Sequence, residues 1–153
     1  MSDKQLVVFS LQNEEYGLEI TKVQEIVRFQ EITKVPNAPS FIKGLINLRG
    51  QVIPVVDLKK RFYGTGSEVL EDTRIIVVKA AAHTIGIIAD QVSEVMRVPE
   101  DSIEPTPSLI NDFNQSGITG VGKLEGRLLI LLDLEKTLSS AEISEIKHVI
   151  NTK

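Results

Sequence analysis

Two histidines, His83 and His148, are the first residues to test for chemistry, since an imidazole can bind a metal or move a proton near neutral pH. Neither has a second ligand-type residue at metal spacing. The chain has no cysteine, so it offers neither a thiolate nucleophile nor the ligands of a structural zinc site. Both histidines read as ordinary surface or partly buried side chains. Gly117, Gly120 and Gly122 form a glycine-rich run, but no GxxxxGK[ST] or GxGxxG string accompanies it, so these glycines read as turns in a barrel rather than a phosphate cradle. No serine stands in a GxSxG context. Asp57 and Asp133 could be imagined as a carboxylate pair, yet each directly precedes an LKK or LEK run, where helix capping accounts for both. The residues thus provide for no enzyme reaction, no cofactor and no metal. What remains is the chemistry of binding.

The candidates for binding emerge from an internal repeat. The stretch from Phe41 to Phe62 (FIKGLINLRGQVIPVVDLKKRF) has a degraded echo from Gly120 to Leu138 (GVGKLEGRLLILLDLEKTL). Setting Gly44 on Gly120 aligns Leu48 with Leu124, Gly50 with Gly126, Val52 with Leu128, Asp57 with Asp133 and Lys60 with Lys136. What the copies share serves the fold; what they do not share is where function is to be sought. Arg49 stands against Glu125, so a hairpin tip here has no structural need for arginine. A guanidinium at a tip can grip a partner's carboxylate or carbonyls with a planar fork. In an earlier block of the repeat, Gly17 aligns with Gly86, which sets Val23 on Val92, Glu25 on Glu94, Ile26 on Val95 and Val27 on Met96. Glu25 and Glu94 read either as a solvated face or as rim contacts of a protein interface. Val23 reads equally as core or as contact.

Several elements must position these residues. Leu6–Leu11 and Tyr16–Ile20 read as strands around a polar turn at residues 12–15, and Arg74–Val78 and Thr84–Ala89 repeat that plan. The spacing of Val23, Ile26 and Val27, and of Val92, Val95 and Met96, predicts one short amphipathic helical turn in each copy. Arg49-Gly50-Gln51 supplies a hairpin turn with Gly50 at positive φ. Pro54 predicts an edge or bulged strand, and Val52, Ile53, Val55 and Val56 predict burial on both faces. Tyr63–Asp72 reads as a linker. The second copy has extra residues between its two blocks; they fit the segment from Pro99 to Ser116, which reads as a mobile surface loop. Ser139-Ser140-Ala141-Glu142 matches a capping box, and Ile143, Ile146 and Ile150 continue a terminal helix over about residues 140–151. Two copies of about five short strands each, near residues 4–62 and 73–138, suggest a pair of small β-barrels with a groove where they meet.

The bulk properties agree. The 153 residues, 42% apolar and 25% charged, make one ordinary domain spanning residues 1–153 that can bury a core without disulfides. With no tryptophan, Val, Ile and Leu must build that core, which favours strands. A net charge of −4 without a basic run argues against nucleic acid. The N-terminus shows no signal-peptide pattern and no apolar run approaches about 20 residues, so the expectation is a soluble, cytoplasmic protein.

GLINLRGQVIPVVDL resembles the signature segment of the CheW-like family of bacterial chemotaxis coupling proteins, and EEYGLEITKVQEI (Glu14–Ile26) resembles its other recognisable block. RIIVVK and IGIIADQVSEV fit the family's second half, so the resemblance spans essentially the whole chain. It implies two intertwined five-stranded SH3-like β-barrels. It also implies a non-enzymatic adaptor linking the cytoplasmic tips of methyl-accepting chemotaxis receptors to the histidine kinase CheA, whose regulatory domain shares the fold. A receptor helical hairpin would occupy the groove between barrels, and the kinase would join through barrel ends. The resemblance assigns Val23, Gly44 and Arg49 to the receptor side, with Val92 and Val95 as further groove candidates, and Glu25 to the kinase side. It implies a monomer on its own that joins receptor–kinase arrays without inserting into the membrane. The chain ends soon after its second LDL block, which favours a free-standing adaptor over a module fused to a kinase or receiver domain. Two other readings stand beside it: an adaptor of a non-flagellar sensory pathway, and a small-ligand-binding β-barrel.

Overall fold

The computed structural model describes residues 3–66, 68–80, 83–104, 118–124 and 126–137. The chain begins with β1 (Asp3–Leu11) and β2 (Glu14–Glu19), joined by Gln12 and Asn13 at φ of 54° and 67°. A 3₁₀ turn (Ile20–Lys22) leads into β3 (Val23–Arg28), and β4 (Ile42–Leu48) and β5 (Gln51–Val56) form the central hairpin. Helix α1 (Leu58–Tyr63) follows. The second half supplies β6 (Arg74–Ala80), β7 (His83–Ala89), β8 (Gln91–Pro99), a 3₁₀ turn (Glu100–Ser102), β9 (Ile103–Glu104), β10 (Ile118–Leu124), β11 (Arg127–Leu132) and α2 (Leu134–Thr137). The expected helix over residues 140–151 lies outside the described residues.

Both sheets mix the two repeat copies. One runs β3-β6-β7-β5-β4 and the other β8-β1-β2-β11-β10-β9. Strands β6 and β7 of the second copy thus complete the sheet of β3, β4 and β5, while β1 and β2 of the first complete the sheet of β8, β10 and β11. Two short parallel pairings seal the exchange: Tyr16 and Gly17 beside Ile130 and Leu131, and Val55 and Val56 beside Gly86 and Ile87. This is the intertwined pair of SH3-like barrels, and it explains why strands with two apolar faces are needed. Ile75 and Val77 of β6 fill one barrel with Ile46, Ile53 and Val55. Leu6, Val8, Val98, Leu129 and Leu131 fill the other. Ile76 and Val78, on the opposite face of β6, join Phe9, Leu18, Val56, Leu58, Ile87 and Leu132 in a third cluster between the barrels, the largest among the described residues. Each fully buried Val, Leu or Ile contributes roughly 1.5–3 kcal/mol, so the inter-barrel cluster is as important to stability as either barrel interior.

Several expectations need correction. The helical turns expected at Val23–Val27 and Val92–Met96 are strands β3 and β8. A spacing of i, i+3, i+4 within five residues also fits an extended segment whose register slips once. β3 has such a bulge between Val23 and Glu25, and its pairing with β6 decides the outcome. Pro54 does not mark an edge strand: β5 lies between β4 and β7, and Pro54 sits just before the pairing with β7 begins at Val55. Val52 is not buried on either side of a double-faced strand but is 36% exposed, and its echo Leu128 is 63% exposed. Of the loop expected from Pro99 to Ser116, Pro99–Glu104 is ordered as the end of β8, a 3₁₀ turn and β9 against β10; residues 105–116 lie outside the described residues.

The two helices begin as the capping pattern requires. Asp57 Oδ1 accepts from Lys60 N at 3.2 Å, and Asp133 Oδ1 accepts from Glu135 N at 3.0 Å. α1 is also fixed by rings. Tyr16 stacks on Phe9 and Phe62 with centroids 5.8 and 6.0 Å away, and its hydroxyl lies 2.5 Å from that of Tyr63. Burial pushes the Tyr16 hydroxyl pKa up.

Candidate functional site

Leu48 pairs with Gln51, leaving Arg49 and Gly50 as a two-residue loop with φ of 51° and 85°. Positive φ at both positions is the type I′ geometry that suits the twist of a hairpin, and Asn47 Oδ1 accepts from Gly50 N at 2.8 Å to brace it. Glycine fits this geometry freely. Arginine does not, because its Cβ crowds the backbone in the left-handed region. A side chain kept where the backbone disfavours it is a physical sign of a role other than folding.

The Arg49 side chain is 70% exposed and reaches Glu25 on β3, forming an ion pair that holds the guanidinium pKa above its ordinary value. β3 and β4 lie at opposite ends of their sheet, so this contact spans the seam where the barrel closes. Arg49 and Glu25, expected to face different partners, therefore belong to one patch. Val23, the first residue of β3, is half-buried against the inter-barrel cluster.

Gly44 is a different kind of residue. It is buried, at φ 153°, and a Cβ there would lie 2.2 Å from Thr33 O and 2.6 Å from Ile32 Cγ2. The chain at Thr33 crosses this point through paired hydrogen bonds with Leu45, each 2.8 Å. The echo Gly120 lies against β9 in the same way but less tightly, with Glu104 O 2.9 Å from the position of a Cβ. Gly44 thus lets a crossing segment approach the hairpin and offers a partner no side chain. Val92 and Val95 lie on β8, in the other sheet. Val92 is half-buried against the inter-barrel cluster, and Val95 is 52% exposed.

The second barrel carries a counterpart that the alignment of Arg49 with Glu125 conceals. Arg127, just past the hairpin glycine, donates from Nε to Glu15 Oε1 at 2.9 Å and from Nη2 to Glu15 Oε2 at 2.7 Å. The same Nη2 donates to Glu94, the echo of Glu25, at 3.3 Å. Hydrogen bonding to Arg127 holds the Glu15 carboxyl below its ordinary pKa. Both barrels therefore join a hairpin arginine to the glutamate of β3 or β8, but Arg127 is held by two carboxylates and Arg49 by one. Loss of cationic charge in the echo is not what distinguishes the copies; the freedom of the arginine is. A second signal was also present in the repeat. Ile26 and Val95 align, as do Val52 and Leu128, and all four are exposed apolar side chains flanking these ion pairs in sequence. Among the described residues no cluster of three His, Asp or Glu could hold a metal.

Beside the short parallel pairing of β2 and β11, a cleft of about 180 Å³ is lined by the nearly buried Leu6, Leu18, Leu132 and Leu134 and by Lys4, Lys22 and Lys79 together with Glu19, Asp133 and Glu135. That volume is below the roughly 300–1,000 Å³ of small-molecule sites and suits an inserted side chain.

The CheW-like domain family model matches residues 5–142. A chemotaxis protein CheW of Klebsiella aerogenes is 40% identical over 95% of this chain and 88% of its own length. One of Bacillus subtilis is 35% identical over 88% of this chain and 86% of its own. Among solved structures, a scaffolding protein, TtCheW, from Thermoanaerobacter tengcongensis superposes with a TM-score of 0.81 at 41% identity, covering 91% of this chain and 90% of that one.

Proposed function

This chain belongs to the CheW-like family, and we propose that it is the coupling adaptor of a chemotaxis signalling pathway, binding methyl-accepting receptors and the histidine kinase CheA without catalysing a reaction itself. The observation that carries this reading is Arg49, an exposed guanidinium held in a disfavoured backbone conformation at a barrel seam, paired with one carboxylate that a partner can replace. Receptor contact is assigned to Arg49 and Val23, with Gly44 shaping the hairpin that presents Arg49. Val92 and Val95 serve as secondary contacts on the other barrel. Glu25 is assigned to the kinase side, and because it holds Arg49, the two partners would meet at one ion pair rather than on unrelated surfaces. The exposed side chains of Ile26, Val52, Val95 and Leu128 suit docking by barrel ends, since burying apolar area supplies affinity while neighbouring charges set register. By holding both partners at once, an adaptor raises their effective concentration.

No helix among the described residues is long and apolar enough to cross a membrane, so recruitment to the membrane would come through the receptors. The test is capture of the chain by a soluble receptor signalling fragment and, separately, by a CheA regulatory domain. The wild-type chain should bind both, Arg49→Glu and Val23→Glu should lose the receptor fragment, and Glu25→Lys should lose the kinase domain. Retention of the receptor fragment by the first two variants sinks the residue assignments, and a wild-type chain that binds neither partner sinks the function.

A further inference from the structure

The segment after α1 reads in the sequence as a linker, but its second part is a built turn. Leu70 O accepts from Thr73 N at 3.1 Å, and Thr73 Oγ1 accepts in return from Leu70 N at 2.9 Å. Thr73 is 1% exposed, and its hydroxyl also donates to Glu68 O at 3.4 Å. Arg74 holds the turn from the other side, donating from Nη1 to Glu71 O and to Thr73 O, each at 3.0 Å. A loop fixed in this way has little conformational freedom left to lose on binding. Yet Val69 and Leu70, which it carries, are 54% and 64% exposed. They give the fold no burial, and ordered apolar surface of this kind marks a contact.

Charge and position indicate what the loop meets. From Gly64 to Asp72 the chain has three acidic residues, Glu68, Glu71 and Asp72, and no basic one. All three are exposed, and none has an ion-pair partner among the described residues. Arg74 is engaged by its two carbonyls, which leaves Arg28 as the exposed cation beside the loop. The same loop of a second copy, or an anionic lipid surface, would oppose like charges, so the complement is an apolar surface bordered by lysine or arginine. Val23, at the start of β3, packs on the inter-barrel cluster, whereas Arg28 at the other end lies about 17 Å along the strand. Arg28 and Phe29 border the loop across a hollow of about 310 Å³. Ile26 and Arg28 share one face of β3, so Arg28 connects the exposed Ile26 to Val69 and Leu70, away from the groove between the barrels.

We propose that the turn of residues 68–73 is an acidic, apolar docking epitope, and that its partner is the regulatory domain of the kinase, which meets it with an apolar patch bordered by lysine or arginine. Continuity with Ile26, on the surface suited to barrel-end docking, selects the kinase over the receptor. Val69 and Leu70 supply the buried area, and Glu68, Glu71 and Asp72 set orientation. Thr73 is a positioning residue that acts through Leu70. This inference rests on the adaptor reading above and adds a contact to it.

The intact chain and its variants can be titrated calorimetrically with a CheA regulatory domain and, separately, with a soluble receptor signalling fragment. The Val69→Ser/Leu70→Ser double variant should bind the kinase domain roughly tenfold more weakly, with receptor-fragment affinity and melting temperature unchanged. Glu71→Gln/Asp72→Asn should weaken kinase-domain binding by roughly three- to tenfold and reduce its salt dependence. Thr73→Val should weaken it with Leu70 intact, and Thr73→Ser, which keeps the hydroxyl, should restore it. If wild type binds the kinase domain and the Val69→Ser/Leu70→Ser variant binds equally well, the epitope is overturned and the adaptor reading stands. A loss confined to the receptor fragment overturns the choice of partner. A salt dependence that survives the amide substitutions unchanged overturns the charge complement, and a wild-type chain that binds neither partner overturns the adaptor reading as well.

Discussion

Arg49 combines a backbone conformation that costs the fold with an exposed side chain, as the proposed receptor contact requires. Asparagine is better adapted than arginine to the left-handed position of a type I′ turn. Arg49→Asn should therefore raise the melting temperature by about 2–4 °C while receptor-fragment binding falls, since the exposed ion pair to Glu25 contributes little to stability. Thermal unfolding followed by circular dichroism reads the first effect and calorimetric titration the second. A melting temperature that drops instead would mean that the Arg49–Glu25 contact holds the barrel seam closed. The sequence points to Arg49 by setting it against Glu125. It does not show that Arg127 restores the cation two positions later, because one-to-one alignment cannot see a side chain reaching back across a hairpin to Glu15 and Glu94.

Among the elements, the β4–β5 hairpin depends on the segment that crosses it. Thr33 hydrogen-bonds to Leu45 in both directions, and no side chain fits between that crossing and position 44. Gly44→Ala should therefore destabilise the fold by at least about 2 kcal/mol, seen as a lower denaturant midpoint with an unchanged slope. Any loss of receptor binding in that variant should track its unfolded fraction, whereas Arg49→Glu should lose binding while fully folded. Strands β1, β2, β6 and β7 were legible in the sequence because β-branched runs bounded by turns leave little choice. Strands β3 and β8 were not: Glu25 and Glu94 interrupt the apolar alternation, and pairing with β6 and β1 decides their conformation.

At the scale of the molecule, exchange of strands between the copies makes the two barrels interdependent. The linker after α1 would be a natural place to divide a tandem of independent barrels, but here each half lacks strands of its own sheet and one wall of the inter-barrel cluster. Residues 1–66 and 68–153 expressed separately should each lack a dispersed amide spectrum, and the intact chain should unfold in one calorimetric transition. A folded half would show that the exchange is not needed for stability. The sequence alone determined the class of fold, the doubling, the hairpin turns and the aspartate caps, because strand propensity, turn chemistry and capping act over a few neighbouring residues. It also isolated Arg49 as a residue the fold does not require in its kind. Only the tertiary structure decided which strands complete which barrel, that Arg49 and Glu25 form one patch, that Gly44 lets the chain at Thr33 cross the hairpin, and that Lys22 pairs with Glu135. These are contacts between residues far apart in the chain, set by how whole faces are buried, and no local pattern encodes them.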